Sequence, residues 1–373
     1  MAKKNILIVD DSALMRRVIS DIIKSDERFV VCDVANNGLE AYDKITLNPK
    51  RFDIVLLDIN MPKMNGIEFM EQMNRLKLKL TVIVISTIAV EGAAETLRLL
   101  ELGAFDFVTK PNSFAQIKEN SFQDRVLATL ECAAGFSEAE YKKVIRPKSA
   151  ELPKIVRNET KPVNSASVPV VRKPHKPVGM GAKKLVALAC STGGPKALQK
   201  VVPFLPKNLD APMLIVQHMP VGFTETLASR LNELSEITVK EAADGDILEK
   251  GTVYIAKGGS QMRVKKKGSS YVLSVTLEEA RNGLKPCADI MYESLLESDY
   301  DDITCVVLTG MGGDGTVGIK QLNDKHNIYV IGQDASTCTV YGMPRVLHEA
   351  GLTDTVVPLE KVADAIIKNV GVR

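Results

Sequence analysis

In the second half of this 373-residue chain, a hydroxyl, an imidazole and a carboxylate each follow an apolar run: Ser191 after LVALAC, His218 after MLIVQ, and Asp314 after TCVVLTGMGG. Such a trio can serve as nucleophile, base and orienting group, and it recurs on unrelated folds in different chain orders. Taken singly, Ser and Asp at a strand end are commonly turn residues or helix caps. The histidine is more telling, because the chain has only four. His175 lies in a Pro-rich basic stretch, and His326 and His348 lie in polar contexts, so only His218 sits between an apolar run and a proline.

A second group of potentially reactive residues occupies the first third. Asp10 and Asp11 follow NILIV, Asp58 follows FDIVLL, Ser86 and Thr87 follow TVIVI, and Lys110 follows AFDFVT. Three carboxylates at one sheet edge repel one another unless a cation neutralises them, and hard oxygen ligands that retain water favour Mg²⁺. A metal, a hydroxyl and an ammonium at that edge can neutralise the oxygens of an entering phosphoryl group, with one carboxylate as its acceptor.

Both groups need elements that bring distant residues to one place. Short Val/Ile/Leu-rich runs alternate with helix-like segments from Lys4 to about Cys132, the pattern of a doubly wound parallel sheet covered on both faces. Strand-like runs return after Lys183 as KLVALAC, PMLIVQH, GTVYIA, TCVVLTG and IYVIGQD, and YVLSVTL is expected to form an antiparallel hairpin with MRVKKK. In open α/β sheets ligands bind beyond the carboxyl ends of the strands, where each of the residues named above would lie. Between the two halves, prolines interspersed with Lys and Arg read as a flexible linker. The expected organisation is α/β throughout: a doubly wound first domain over 1–134, a linker over 135–182, and a second doubly wound domain with an antiparallel edge over 183–373.

Composition narrows the setting. A net charge of +2 supplies no strong field for nucleic acid or an anionic membrane, and no basic recognition helix is evident. The six cysteines are scattered without C-x-x-C pairing and read as reduced thiols. The start, MAKKNILIVDD, lacks the apolar length of a signal peptide, and no later run approaches a membrane span. The expected compartment is the cytoplasm, without membrane insertion.

The first third resembles the receiver domain of two-component response regulators. The resemblance rests on Asp10-Asp11, Asp58 with Ile59-Asn60-Met61-Pro62, Gly66, Ser86-Thr87 and Lys110-Pro111, in that order. It implies a flavodoxin-like fold with Asp58 as phosphoryl acceptor. Asp10, Asp11, Asp58 and the Asn60 carbonyl become ligands of Mg²⁺, Ser86 or its neighbour Thr87 the switch hydroxyl, and Lys110 the phosphate-binding cation. Phe107 takes the place of an aromatic that moves on activation.

CSTGGP, QHMPVGFTETLASRL, EAADGDILEKGTVYIAKGG, VVLTGMGGDGTVGI and QDASTCTVYGMPR resemble the catalytic domain of the chemotaxis protein-glutamate methylesterases. The resemblance implies hydrolysis of glutamate γ-methyl esters on methyl-accepting chemotaxis receptors, in many members deamidation of receptor glutamines, and a histidine kinase as phosphodonor. It makes Ser191 the nucleophile, His218 the base and Asp314 its orienting partner. The Met311 N–H becomes an oxyanion donor with Thr192 as a second candidate, and no cofactor is implied in this domain. Departures from the family pattern are Ala189-Cys190 before the nucleophile, Lys257 and Gln261 where Pro and His are common, and KPCAD at 285–289. A different class of reading stays open from the residues alone: a noncatalytic, receiver-linked module that binds an anion or nucleotide at the glycine-rich turns.

Overall fold

In the computed structural model the described residues are 3–87, 90–111, 121–136, 173–179 and 181–373. Five strands, β1 (Lys4–Val9), β2 (Phe29–Ala35), β3 (Ile54–Asp58), β4 (Thr81–Ser86) and β5 (Asp106–Thr109), form a parallel sheet in the order β2-β1-β3-β4-β5. Every residue of β3 is buried, which is why its sequence is a continuous apolar run rather than an alternating one. The strand order reverses beside β1, and Asp10 and Asp58 end the two strands at that reversal. Local signals agree with this placement. Asn65 caps the helix Gly66–Arg75 with a reciprocal Glu68 bond, and Ser12 caps the helix Ala13–Lys24.

The second sheet has seven strands in the order β14-β13-β12-β6-β7-β9-β8, all parallel. They are β6 (Lys184–Cys190), β7 (Met213–Gln217), β8 (Thr238–Glu241), β9 (Thr252–Ile255), β12 (Asp302–Val307), β13 (Ile328–Gln333) and β14 (Thr355–Val357). The expected hairpin is present as β10 (Gln261–Lys267) and β11 (Ser270–Thr276), paired as a separate two-stranded sheet. It does not extend the large sheet because segment 245–248 covers its free edge: Gly245 N donates to Leu273 O, Leu273 N to Asp246 O and Leu248 N to Tyr271 O. The short strands β8 and β14 have no counterpart among the apolar runs. β8 reads TVKE and exposes alternate residues, as an edge strand can.

The expected linker lies mostly outside the described residues. Its longest described stretch, 173–179, runs along the second domain, where His175 Nε2 is 3.0 Å from the buried Asp302 carboxylate and Lys176 N donates to Asn327 Oδ1. The two sheets approach each other through helices Val90–Glu101 and Phe223–Leu234. Glu101 Oε1 accepts hydrogen bonds from Arg230 Nε at 2.9 Å and Gln199 Nε2 at 3.2 Å. Phe107 stacks on Phe223, with ring centroids 4.8 Å apart and planes 13° from parallel.

Candidate active site and phosphoryl-acceptor site

Strand β6 lies between β12 and β7, so the segments that follow these three strands emerge side by side from one sheet edge. Ser191 follows β6, His218 follows β7 and Asp314 lies beyond β12. The strand order reverses between β12, β6 and β7, where a doubly wound sheet opens a crevice. Ser191 N donates to Thr309 O, and the Thr309 hydroxyl donates to Thr192 O at 2.9 Å, so the chain leaving β12 brackets the serine. Gly310 makes that approach possible: a Cβ there would lie 2.9 Å from Ser191 Cβ and 2.3 Å from Met343 Sδ.

His218 Nε2 is 2.8 Å from Asp314 Oδ2, with both side chains almost fully buried. That contact leaves Nδ1 as the ring nitrogen able to take a proton from a hydroxyl. Among the described residues Ser191 Oγ makes no hydrogen bond, and free enzymes often tighten such contacts only around substrate. The Asp314 carboxylate is held from behind. Ala288 N donates to Oδ2 at 2.6 Å, and Asp289 N and Cys287 Sγ donate to Oδ1 at 3.0 and 3.2 Å. Burial pushes this carboxyl up, but the His218 contact and the two N–H groups outweigh burial and bring it down to about 2.

Two of the sequence departures are built into this support. Gln261 is buried, its Nε2 donating to Leu284 O and its Oε1 accepting from Cys287 N, so it braces the segment that holds Asp314. Lys257 pairs with Glu241 at 2.9 Å on the surface. Burial and the neighbouring Asp314 push the Cys287 thiol up to about 12, which keeps it a protonated donor.

Ser191, Thr192, Gln217 and His218 line a cavity of about 360 Å³, together with Leu284 and Lys285. Its other wall belongs to the first domain: Asp106, Phe107, Thr109, Arg125 and Thr129. Burial raises the Asp106 carboxyl to about 6, against hydrogen bonds from the Thr192 hydroxyl and the Phe107 N–H. Met311 is outside the cavity lining, and its Sδ lies 3.2 Å from Cys132 Sγ on helix Ser121–Ala134 of the first domain. The first domain thus meets both the serine turn and the glycine-rich turn.

At the other sheet edge, ligand oxygens of Asp10, Asp11 and Asp58 lie within 4.8 Å of one another. Lys110 Nζ reaches Asp10 Oδ2 at 2.9 Å and Asp58 Oδ2 at 2.8 Å. Among the described residues the buried Asp10 Oδ2 has only the Lys110 ammonium beside it. Three clustered carboxylates with such an oxygen make a donor set that fits a hard divalent cation. Burial pushes the Asp58 carboxyl up to about 6, opposed by the Lys110 charge and reinforced by that of Asp10. Ser86 Oγ is buried and faces helix Val90–Glu101, accepting from Thr96 Oγ1 at 2.7 Å and donating to Thr87 O at 3.1 Å. Thr87 is exposed, and Asn60 Nδ2 reaches Glu95 at 3.3 Å.

Sequence reasoning overlooked Gln217, Asp106 and the Ala288-Asp289 amides. Gln217 carried a readable signal, an amide ending an otherwise apolar strand. The other groups are recognisable only once the domains are docked and helix Ala288–Glu293 is placed.

The profile of the CheB methylesterase family matches residues 186–366, and that of the response regulator receiver domain matches residues 6–121. A protein-glutamate methylesterase/protein-glutamine glutaminase of Halalkalibacterium halodurans is 41% identical over 367 residues, covering 97% of each chain. A protein of that name from Bacillus subtilis is 38% identical, again over 97% of each chain. The crystal structure of the Thermotoga maritima CheB methylesterase catalytic domain is 39% identical, with a TM-score of 0.48, covering 50% of this chain and 98% of that one.

Proposed function

The chain belongs to the family of receiver-linked CheB methylesterases, and from that membership we propose that Ser191, His218 and Asp314 perform its hydrolytic chemistry. The enzyme is a protein-glutamate methylesterase/protein-glutamine glutaminase of chemotaxis, regulated through a receiver. The observation that supports the residue assignment best is the 2.8 Å contact between Asp314 and His218, which lines the same cavity as Ser191.

The substrate carbonyl is a glutamate γ-methyl ester on a methyl-accepting chemotaxis receptor. Ser191 Oγ attacks the carbonyl carbon as its proton passes to His218 Nδ1. Asp314 stabilises the imidazolium on the opposite nitrogen. Collapse of the tetrahedral adduct expels methanol, which takes the proton from His218. Water then attacks the acyl carbon and gives a proton to His218, which returns it to Ser191 Oγ as the second adduct collapses and glutamate leaves. With a glutamine side chain the first leaving group is ammonia instead. Thr192, which lines the cavity beside the serine, is one donor to the transient oxyanion, and the Met311 N–H, outside that lining while the first domain is docked, is the second.

In the receiver, Asp58 accepts a phosphoryl group from the chemotaxis histidine kinase, and Lys110 contacts its oxygens. Ser86 or Thr87 supplies the switch hydroxyl. Asp10, Asp11, Asp58 and the Asn60 carbonyl would hold Mg²⁺, which would supply charge neutralisation. The receiver covers 1–134, the linker 135–182 and the catalytic domain 183–373. The receiver wall of the cavity supports a resting state in which the docked receiver obstructs the ester site. Among the described residues no helix is long and apolar enough to cross a membrane, and the enzyme acts on its receptors from the cytoplasm.

Methanol release from methylated receptor membranes tests the assignment. Activity is expected from the wild type and absent from Ser191→Ala and His218→Ala. A noncatalytic binding module would instead release no methanol in any form and would resist fluorophosphonate labelling.

A further inference from the structure

We propose that Gln217 is a positioning residue that sets the spacing of nucleophile and base through their backbone carbonyls, an inference resting on the roles given above to Ser191 and His218. Strands β6 and β7 pair in register from Val186 with Met213 up to Cys190 with Gln217, and there the ladder ends. Ser191 and His218 are the next residue on each strand, so the reacting groups lie just beyond the last rung. One backbone bond crosses the gap, from His218 N to Cys190 O at 3.2 Å. The Gln217 side chain supplies a second link, bridging the carbonyls of the two residues. Its Nε2 donates to Ser191 O at 3.1 Å and to His218 O at 3.3 Å, in effect adding a rung built from an amide side chain.

The orientation of that amide is dictated by its surroundings. Gln217 is 2% exposed, and buried polar groups require partners. Two carbonyl oxygens can only accept, so the NH₂ end must face them. The Oε1 end faces Cys190 Sγ at 3.1 Å, and burial raises that thiol so that it stays a protonated donor. Oε1 also fills the space beside Gly194, where a Cβ would come within 1.9 Å of it. The glycine at 194, a polar residue ending an apolar strand, and a thiol at 190 are thus parts of one arrangement. Its consequence falls on turnover rather than on substrate binding, because small misplacements of reacting groups cost up to about a hundredfold in rate.

The test uses the full chain with Mg²⁺ and a small-molecule phosphodonor. Fluorophosphonate labelling and methanol release are measured on wild type, Gln217→Met, Gln217→Asn and Ser191→Ala. The Met variant keeps the volume and loses both polar ends, while the Asn variant keeps the amide and withdraws it by one methylene. Near-UV circular dichroism and the thermal midpoint report the folded fraction. For folded Gln217→Met the labelling rate and kcat are expected to fall together by about ten- to hundredfold, with KM changed by less than about twofold. Gln217→Asn is expected to fall in the same direction, and it carries the test if the Met variant does not fold. Wild-type labelling by either folded variant would overturn the positioning role, as would a loss of activity that merely tracks the folded fraction. An unlabelled wild type, or labelling that persists in Ser191→Ala, would instead overturn the nucleophile assignment and this inference with it.

Discussion

Asp58 and Asp314 are buried carboxylates at the carboxyl edges of two parallel sheets, yet their surroundings move them in opposite directions, to about 6 and to about 2. Asp58 is desolvated with one backbone N–H, from Ile59, and shares the Lys110 ammonium with another carboxylate. Asp314 accepts from two backbone N–H groups and a thiol and faces an imidazole. Fixed dipoles aimed at a carboxylate satisfy it permanently and suit it to orient a neighbour. A carboxylate left short of donors retains the capacity to take up a cation and a phosphoryl group.

The largest effect expected concerns Ser191, beside the imidazole that Asp314 holds. Ser191→Ala should lower turnover by about 10⁴ to 10⁶-fold, measured as methanol release, with an unchanged thermal midpoint. Retention of a tenth of wild-type turnover would break the assignment. Next in size is the coupling between the two sites. A phosphodonor with Mg²⁺ should raise full-chain activity by roughly tenfold or more, about 1.4 kcal/mol of closed-to-open shift, and should leave Asp58→Asn unchanged. A fragment starting near Lys183 should be active without a phosphodonor. Equal activities of that fragment and the unmodified full chain would sever the sites functionally.

The opposed carboxyls themselves give a matched pair of stability curves. The folded form of Asp58 holds its proton more tightly than the unfolded chain, so stability falls as pH rises from about 4 to 6, by at most about 3 kcal/mol. In metal-free buffer Asp58→Asn should therefore be more stable than wild type above pH 6 and equal to it below pH 4. For Asp314 the sign reverses. Its contribution is present above pH 4 and is lost as pH falls from about 4 to 2, so Asp314→Asn should destabilise at neutral pH and flatten that acid limb. Calorimetric melts from pH 2 to 8 on the two variants would show whether the limbs separate in this way.

The smallest effect lies where the domains touch. Arg230 is partly exposed, so its pair with Glu101 is worth no more than about 1 kcal/mol, and Glu101→Ala should raise unphosphorylated activity by about fivefold at most. Phe107→Ala removes a stacked ring whose partner is fully buried and should act in the same direction. An unchanged basal rate in both variants would show that these contacts do not hold the closed state.

Both sheets were legible because fully buried parallel strands write themselves as continuous apolar runs, and most of the residues proposed to react stand at the ends of such runs, whereas Asp314 lies in the glycine-rich turn past β12. Edge strands were not: TVKE in β8 carries neither a continuous run nor a clean alternation. The hairpin was legible in its Lys/Gly-rich turn, whereas its separation from the large sheet depends on a covering segment distant from that turn. At the site, single residues could be named from strand ends, but the donors to Asp314 depend on where helix Ala288–Glu293 docks. Likewise, the opposed pKa directions of two residues of one type cannot be read from their identity, since they arise from groups far apart in the chain.

Gly310 restricts how this enzyme could diversify. With 2.9 Å between a would-be Cβ and Ser191 Cβ, and 2.3 Å to Met343 Sδ, the floor beneath the serine admits no side chain. Lineages derived from such a chain and drifting toward other esters would keep that floor and vary the rim instead. Leu284 and Lys285 line the cavity away from that floor, so new substrate preferences would accumulate at such positions while the reaction beneath stayed the same.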